Sequence, residues 1–269
     1  MPAVIPKSSA HSWDVAYGHL APKHRTEFGP GEARAIAILQ KRITLGASVS
    51  VVELGGGGGS FLLPFARLGC KCFAVDFSEV GLERARQLFK KEGHELNVIV
   101  SDLMRIGPDL RGRFDVAVSY GLCEHFRGDE RLAMIGAHLE LISASGVAML
   151  SVPNRFSPAY QLWWRAARIL TRMGLAARLD VNIIDEWAFS PRELQRMCAA
   201  AGFDRPVVVG TPVLGDAVDM LARPAWKFVN RAFGGTYRRP TRTHAPRLPF
   251  DDAIGSYLYV VGGKAKPPS

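Results

Sequence analysis

Apolar, β-branched runs alternate with amphipathic segments along most of the chain. The runs at 48–54, 71–76, 97–101, 115–119 and 146–152 read as strands, with weaker ones at 206–210 and 256–262. Between them, residues 60–68, 79–92, 129–142 and 191–201 read as helices, and 31–43 carries apolar positions at helical spacing ahead of the first strand. This alternation predicts an α/β fold with a parallel sheet and crossover helices. Two stretches break the rhythm. Residues 155–190 are too long for a simple strand-to-helix connection, and 211–252 separate the last two strands. Long insertions in a compact fold usually serve function, so both are expected to shape a substrate region.

The first strand runs directly into five consecutive glycines, VVELGGGGGS over 51–60. Successive glycines are costly in backbone entropy, so something at this point needs bare main chain. With a strong strand before and an apolar helix after, the stretch reads as a ligand turn at the crevice where open parallel sheets bind nucleotides. The dinucleotide spacing G-x-G-x-x-G does not fit. Counted from Gly55 its third position is Ser60, and from Gly56 it is Phe61.

Glu53 followed by Gly55, Gly57 and Gly59 instead resembles the E/D-x-G-x-G-x-G motif of class I S-adenosylmethionine-dependent methyltransferases. Three further strand ends fall in register with it. CFAVDFS closes the second strand with Asp76, and VIVSDLM closes the third with Asp102. The fourth reads FDVAVSYGLCEHF, similar to the F-D-x-V-x-S-x-x-x-x-E-H pattern of ubiquinone/menaquinone-biosynthesis-type methyltransferases. Later, FSPRELQRMCAAAGF resembles the helix that precedes the sixth strand in those enzymes, so the likeness covers about 51–203 plus a final strand. It implies a Rossmann-like, seven-stranded, mostly parallel sheet of order 3-2-1-4-5-7-6, its last strand antiparallel, with helices on both faces and a helical cap insertion. The chain then divides into a helical segment over the cofactor (1–47), the cofactor-binding core (48–154), a cap (155–190), and the rest of the sheet (191–269) with a basic insertion near 211–252, all in one structural domain.

The resemblance implies S-adenosyl-L-methionine as cofactor, leaving as S-adenosyl-L-homocysteine, held by Glu53, Gly55, Gly57, Gly59, Asp76, Phe77, Asp102, Leu103 and Tyr120. Asp76 would accept both ribose hydroxyl hydrogens, Asp102 would meet the adenine amino group, and Tyr120 with Leu122 would line the methionine end. HSWDVAYGHL, with Trp13 and Tyr17 one helical turn apart, looks like the leading helix that folds over the cofactor; packing of two aromatics on the sheet is the alternative. A sulfonium already carries an activated methyl group, so the protein must mainly align a nucleophile and exclude water; no metal is called for. A hydroxyl acceptor would want a base, for which His125 beside Glu124 is the candidate, whereas an amine or thiolate needs none. The same Glu-His pair could instead cap the next helix. Tyr17, Asn154, Tyr160 and Trp164 are expected to line the acceptor, while His11, His19, His24, His94, His138 and His244 read as surface or loop residues.

Composition sharpens the partners. Hydrophobic residues at 48% and charged ones at 22% suit a globular protein of 269 residues. No apolar window reaches the ~18–20 residues of a membrane span and the N-terminus has no signal-like core, so a cytoplasmic chain is expected. The four cysteines have neither zinc-ligand nor disulfide-framework spacing. The net charge of +9 is uneven: Arg223, Lys227, Arg231, Arg238, Arg239, Arg242 and Arg247 fall in one stretch without an acid. In the cap, Tyr160, Trp163, Trp164, Ala167 and Leu170 form one apolar helix face and Gln161, Arg165, Arg168 and Arg172 a polar stripe. The helix either closes the site with its arginines in water or lies against anionic lipid, with Trp226, Phe228 and Phe233 adding to the basic stretch. The expected activity is methyl transfer to a small, apolar or lipid-like acceptor at an O, N, S or C atom. An RNA methyltransferase and a non-catalytic cofactor-binding scaffold are the alternatives, nucleic acid being the weaker fit because no RNA-binding module is recognisable. The oligomeric state is not legible.

Overall fold

The computed structural model describes residues 13, 14, 17, 27–173, 186–214 and 248–265. The basic residues at 223–247 and the aromatics Trp226, Phe228 and Phe233 lie outside the described residues, as do His11, His19, His24 and His244. In chain order the elements are α1 (Pro30–Gln40), β1 (Ser50–Leu54), α2 (Leu63–Arg67), β2 (Lys71–Asp76), α3 (Glu79–Lys91), β3 (Asn97–Val100) and β4 (Phe114–Tyr120). Then follow α4 (Gly128–Leu141), β5 (Ile142–Pro153), α5 (Pro158–Arg172), α6 (Pro191–Ala200), β6 (Phe203–Gly210), α7 (Asp251–Ile254) and β7 (Tyr257–Lys264).

The strands form one seven-stranded sheet of order β3-β2-β1-β4-β5-β7-β6, the order implied by the sequence motifs. β1 pairs in parallel with β2 and β4, β2 with β3, and β4 with β5; β7 runs antiparallel to both β5 and β6. Side chains alternate across the pleat into two separate cores. Val52, Leu54, Ala117, Leu150, Val152 and Leu258 point to one face, where Met134 and Ile135 of α4 and Leu194 and Cys198 of α6 cover them. Val51, Val116, Val118, Met149, Tyr259 and Val261 point to the other, covered by Ala35 and Leu39 of α1, Phe65 of α2 and Leu82 and Phe89 of α3. Both faces being sealed explains why the strands read as continuous apolar runs.

Two elements differ from the sequence-based expectation. α2 is confined to Leu63–Arg67 because turn geometry persists through Gly59 and Leu62, and Gly69 at φ +86° follows the helix. β5 begins at Ile142, where its pairing with β4 shifts register between Phe114 and Val116. Helix starts are capped as their sequences suggest: Ser78 Oγ accepts the Gly81 amide ahead of α3, and Ser190 forms a capping box with Glu193 ahead of α6. All four cysteines are buried and free.

His138 corrects the sequence reading. It is fully buried in α4, with Nδ1 3.0 Å from the Met134 carbonyl and Nε2 2.8 Å from Ser119 Oγ on β4. His94, in contrast, sits half-buried in the loop after α3. Burial lowers the His138 pKa from 6.5 to about 4. The unfolded chain therefore takes up a proton between those values that the folded chain does not. This residue's contribution to stability is complete above pH 6.5 and is lost as pH falls towards 4. Denaturant unfolding of wild type and His138→Gln across this range should show the wild type losing stability relative to the variant by up to ~1.4 kcal/mol per pH unit. Parallel pH profiles would remove His138 as the source.

Candidate active site

The parallel pairing of β1 brings three strand ends together, with Glu53 opposite both Ala74 of β2 and Val118 of β4. The glycine turn leaves β1 at that edge. The Gly55 and Gly56 amides donate to the Val75 carbonyl at 2.9 and 3.2 Å, and the Gly59 amide closes the turn on the Gly56 carbonyl at 3.0 Å. Gly55 and Gly59 lie at φ +68° and +63°, where a side chain would strain the backbone. A Cβ on Gly56 would come 2.9 Å from Ala74 Cβ, and one on Gly59 2.7 Å from Ala85 Cβ of α3, so those two serve packing. Gly57 serves the cradle itself: its Cβ would fall 2.6 Å from the Tyr17 ring. Gly58 faces nothing within 4 Å.

Asp76 ends β2 beside this turn and is buried, with Glu53 likewise buried at the end of β1. The Gly57 amide donates to Asp76 Oδ2 at 3.0 Å and the Ser78 amide to Oδ1 at 2.9 Å. Burial raises the Asp76 pKa, and the amides of Ser78, Gly57 and Phe77 work against that rise by favouring the carboxylate. Tyr17 hydroxyl lies 3.5 Å from Oδ2, and its ring packs where a Cβ on Gly57 or Gly81 would stand. Ser78 Oγ donates to Asp14 Oδ1 at 2.5 Å, so Asp14 joins Tyr17 against the same cradle. Tyr17, expected beside the acceptor, thus packs against the glycine turn and Asp76. The cradle admits a ring against glycine and a hydroxyl against a carboxylate, which is what the ribose of S-adenosylmethionine presents. These residues fit the cofactor.

The other expected cofactor residues are placed less uniformly. Phe77 is half-buried behind Asp76; Asp102 is exposed after β3, its Oδ1 accepting the Met104 amide at 2.9 Å. The Leu103 side chain belongs to the core. Tyr120, at the end of β4, lies between Phe61 and Tyr257 with ring centroids 5.3 and 5.4 Å away. Leu122 packs on the glycine turn, 3.0 Å from where a Gly55 Cβ would be.

Beyond Tyr120 the chain turns through the short helix Cys123–His125. Glu124 is buried, and Trp13 packs edge-on against the His125 ring at 5.2 Å. Residues 186–190 run back along this turn as a strap. The Trp187 amide donates to the Glu124 carbonyl at 2.9 Å, and Phe189 bridges Asn154. Arg131 of α4 pins the strap, its Nε donating to the Phe126 carbonyl at 2.8 Å and Nη2 to the Trp187 carbonyl at 2.7 Å. Arg127 stacks over the Trp187 ring at 3.5 Å. From α5, Tyr160 hydroxyl donates to Glu186 Oε1 at 2.6 Å, while Trp164 is half-buried with Arg168 over its ring.

Asn154 does not sit as an acceptor-lining residue would. It is fully buried, its Nδ2 donating to the carbonyls of Ala253 and Gly255 at 2.9 Å and its Oδ1 accepting the Phe156 amide at 3.0 Å, so it clamps α7 to the end of β5. Glu186, Arg131 and Tyr257 carry no signal in the sequence. They are brought to the site by tertiary contacts, and only the placement of Glu186 inside an over-long insertion hints at a role. Among the described residues no group of three or more His, Cys, Asp or Glu is placed to hold a metal.

A family model for a methyltransferase domain matches residues 23–205. The chain belongs to the methyltransferase-domain family. It is 27% identical over 201 residues to the ubiquinone biosynthesis O-methyltransferase of Azotobacter vinelandii, covering 75% of this chain and 82% of that one. Two solved structures share the fold. The phosphoethanolamine N-methyltransferase 2 of Haemonchus contortus in complex with S-adenosyl-L-methionine aligns with a TM-score of 0.58 and 13% identity over 96% of this chain and 56% of its own. The magnesium protoporphyrin IX methyltransferase of Synechocystis with bound S-adenosylhomocysteine aligns at 0.51 and 14%, covering 97% and 89%. The cofactor of this methyltransferase is S-adenosylmethionine.

Replacing Asp76 with Ala should weaken S-adenosylhomocysteine binding by roughly 10- to 100-fold, the usual loss for a hydrogen bond to a charged group. Gly57→Ala should also weaken it, while Gly58→Ala should leave it unchanged. Titration calorimetry decides, and equal affinities across the three variants would dissociate this cradle from the cofactor.

Proposed function

We propose that this methyltransferase acts on a small, largely apolar acceptor drawn from an anionic membrane surface, with His125 taking the acceptor's proton. The observation that carries the reading is the amphipathic character of α5. Its inner side contributes Tyr160 and Ala167, both buried, with Trp164 and Leu170 half-buried. Its outer side exposes a second apolar row, Leu162 (57%), Ile169 (55%) and Met173 (64%) at helical spacing, with Trp163 beside it and Arg165, Arg168 and Arg172 interleaved. The sequence pattern suggests a single apolar face. A helix that covers the site with one side and offers tryptophan, aliphatics and arginine to solvent with the other suits a headgroup boundary. Among the described residues no helix is long and apolar enough to cross a membrane. The Azotobacter relative, named for ubiquinone biosynthesis, supports an apolar acceptor.

In this reading the cofactor supplies a methyl group on a sulfonium, ready for displacement. The chain supplies position. Asp76 and the glycine turn hold the nucleoside, Tyr120 and Leu122 border the methionine end, and Trp13 with the strap at 186–190 keeps water from the β4 edge. Alignment of this kind accounts for much of the rate gain in a bimolecular transfer. His125 lies at that edge with its ring held by Trp13, which favours a fixed orientation for proton acceptance.

Flotation with vesicles of phosphatidylcholine and anionic phosphatidylglycerol tests the membrane reading. The wild type should float at low salt and less at high salt, and Leu162→Glu combined with Ile169→Glu should abolish flotation without altering cofactor affinity. Absence of binding at both salts would overturn it. For the base, His125→Ala should lower kcat by roughly 10²-fold or more while S-adenosylhomocysteine binding is retained. An undiminished kcat at neutral pH would remove His125 from that role.

A further inference from the structure

Beyond the cofactor cradle, the acceptor edge of the site has a composition at odds with the basic character of the whole chain. Glu124 is 3% exposed, and its Oε2 is buried with no hydrogen-bond partner among the described residues. Glu186 stands near enough that its charge opposes ionisation of Glu124, and the same two carboxylates both act on Tyr257. Tyr160 hydroxyl donates to Glu186 at 2.6 Å, and Tyr257 stacks on Tyr120 at 5.4 Å with a 27° tilt. The guanidinium that reaches Glu124 electrostatically is committed elsewhere: Arg131 donates to the carbonyls of Phe126 and Trp187 and pairs with Glu193 at 3.3 Å. The hydrogen bond from the Trp187 amide to the Glu124 carbonyl at 2.9 Å sets Glu186 next to Glu124, so two carboxylates, one with an orphaned oxygen, are drawn together beside tyrosine rings.

We propose that the acceptor atom is an amine nitrogen, bound as its ammonium between Glu124 and Glu186 and against the rings of Tyr120, Tyr160 and Tyr257. The proposal rests on the methyltransferase reading and names the substrate class of the same site. Like charges held near each other where one is buried are costly, and a cation seated between them converts that repulsion into two attractions. An ammonium also brings three N–H donors, enough to satisfy Glu124 Oε2 and reach Glu186, and it gains from the faces of aromatic rings. A neutral alcohol or phenol leaves the carboxylates opposed, and an anionic acceptor adds to the repulsion. Burial and the Glu186 charge raise the Glu124 pKa well above the ordinary carboxylate range, as expected where the balancing cation is the ligand. For transfer, one ammonium proton passes to the imidazole of His125, the base proposed above. The freed lone pair then forms the N–C bond as the methyl–sulfur bond breaks, its electron pair staying on sulfur. The product is a methylated ammonium and a neutral thioether.

The test uses the full chain saturated with S-adenosylhomocysteine for binding, and charged with S-adenosylmethionine for turnover. Phenethylamine, tyramine and dodecylamine are each paired with the alcohol of the same skeleton, with phenylacetate as the anionic control. At least one amine should bind better than its alcohol by about tenfold or more and yield an N-methyl product by mass spectrometry. Glu186→Gln should weaken that amine by about 10- to 100-fold while leaving S-adenosylhomocysteine affinity unchanged. Alcohols or phenylacetate binding as well as the amines, transfer to oxygen alone, or no amine bound by the cofactor-saturated wild type would each overturn the amine assignment. Those results leave the methyltransferase reading intact, since it fails only if the wild type does not bind S-adenosylhomocysteine. The wild-type comparison is decisive even if Glu186→Gln does not fold.

Discussion

The parallel pairing of β1 between β2 and β4 is the constraint on which everything else rests. It sets Glu53 beside Ala74 and Val118 and so brings the carboxyl ends of three strands to one edge. Each strand then delivers one part of the site at or just past its carboxyl end: the glycine turn after β1, Asp76 as the last residue of β2, and Tyr120 at the end of β4 with the Cys123–His125 turn after it. The pairing is stable because both faces are sealed by helices, and main-chain bonds within a sealed sheet have no competition from water. A slip of one residue along β1 would exchange its two core faces and move Glu53 across the sheet.

This dependence explains which parts of the site can be seen in the sequence. Glycines needing left-handed backbone, and an acid one residue past an apolar run, are consequences of local chain geometry, so Gly55, Gly59 and Asp76 are legible wherever strands are. The sheet order is legible only through the family resemblance that those motifs carry. What escapes is the polar layer assembled by contacts distant along the chain. Arg131 reaches Trp187, Tyr160 reaches Glu186, and His138 reaches Ser119, and nothing in the spacing of these pairs announces them. His138 reads as a surface residue because helical periodicity identifies a buried face without saying which polar side chain finds a partner there. Asn154 lies at the expected edge, but its own neighbours consume its amide.

α5 departs from its sequence reading in a different way. It satisfies two apolar stripes at once, one with Tyr160 and Ala167 inward and one with Leu162, Ile169 and Met173 outward. Apolar residues counted around a helix give only the combined direction of both stripes, so the sequence reads as a single-faced helix. The strap at 186–190 shows why the inner stripe wins contact with the body of the protein. Tyr160 is anchored to Glu186, and the strap is in turn anchored through the Trp187 amide and Arg131 to the turn after β4. Whatever displaces the strap therefore loosens α5, so the strap, α5 and the turn after β4 are mechanically one unit.

The electrostatics of the molecule have two ranges, and they do not cancel. The net charge of +9 acts through water, where it draws anionic surfaces over a Debye length and is screened by salt. The Glu124–Glu186 pair, one carboxylate buried and the other half-buried, acts locally and is screened less than the exterior charge. A cationic amphiphile would be repelled weakly by the exterior yet concentrated at the anionic membrane that the exterior attracts. It would then meet opposite charge only on entering beneath α5. Docking to the surface and selecting the acceptor can thus be governed by charges of opposite sign, because solvent separates the distances over which each one works.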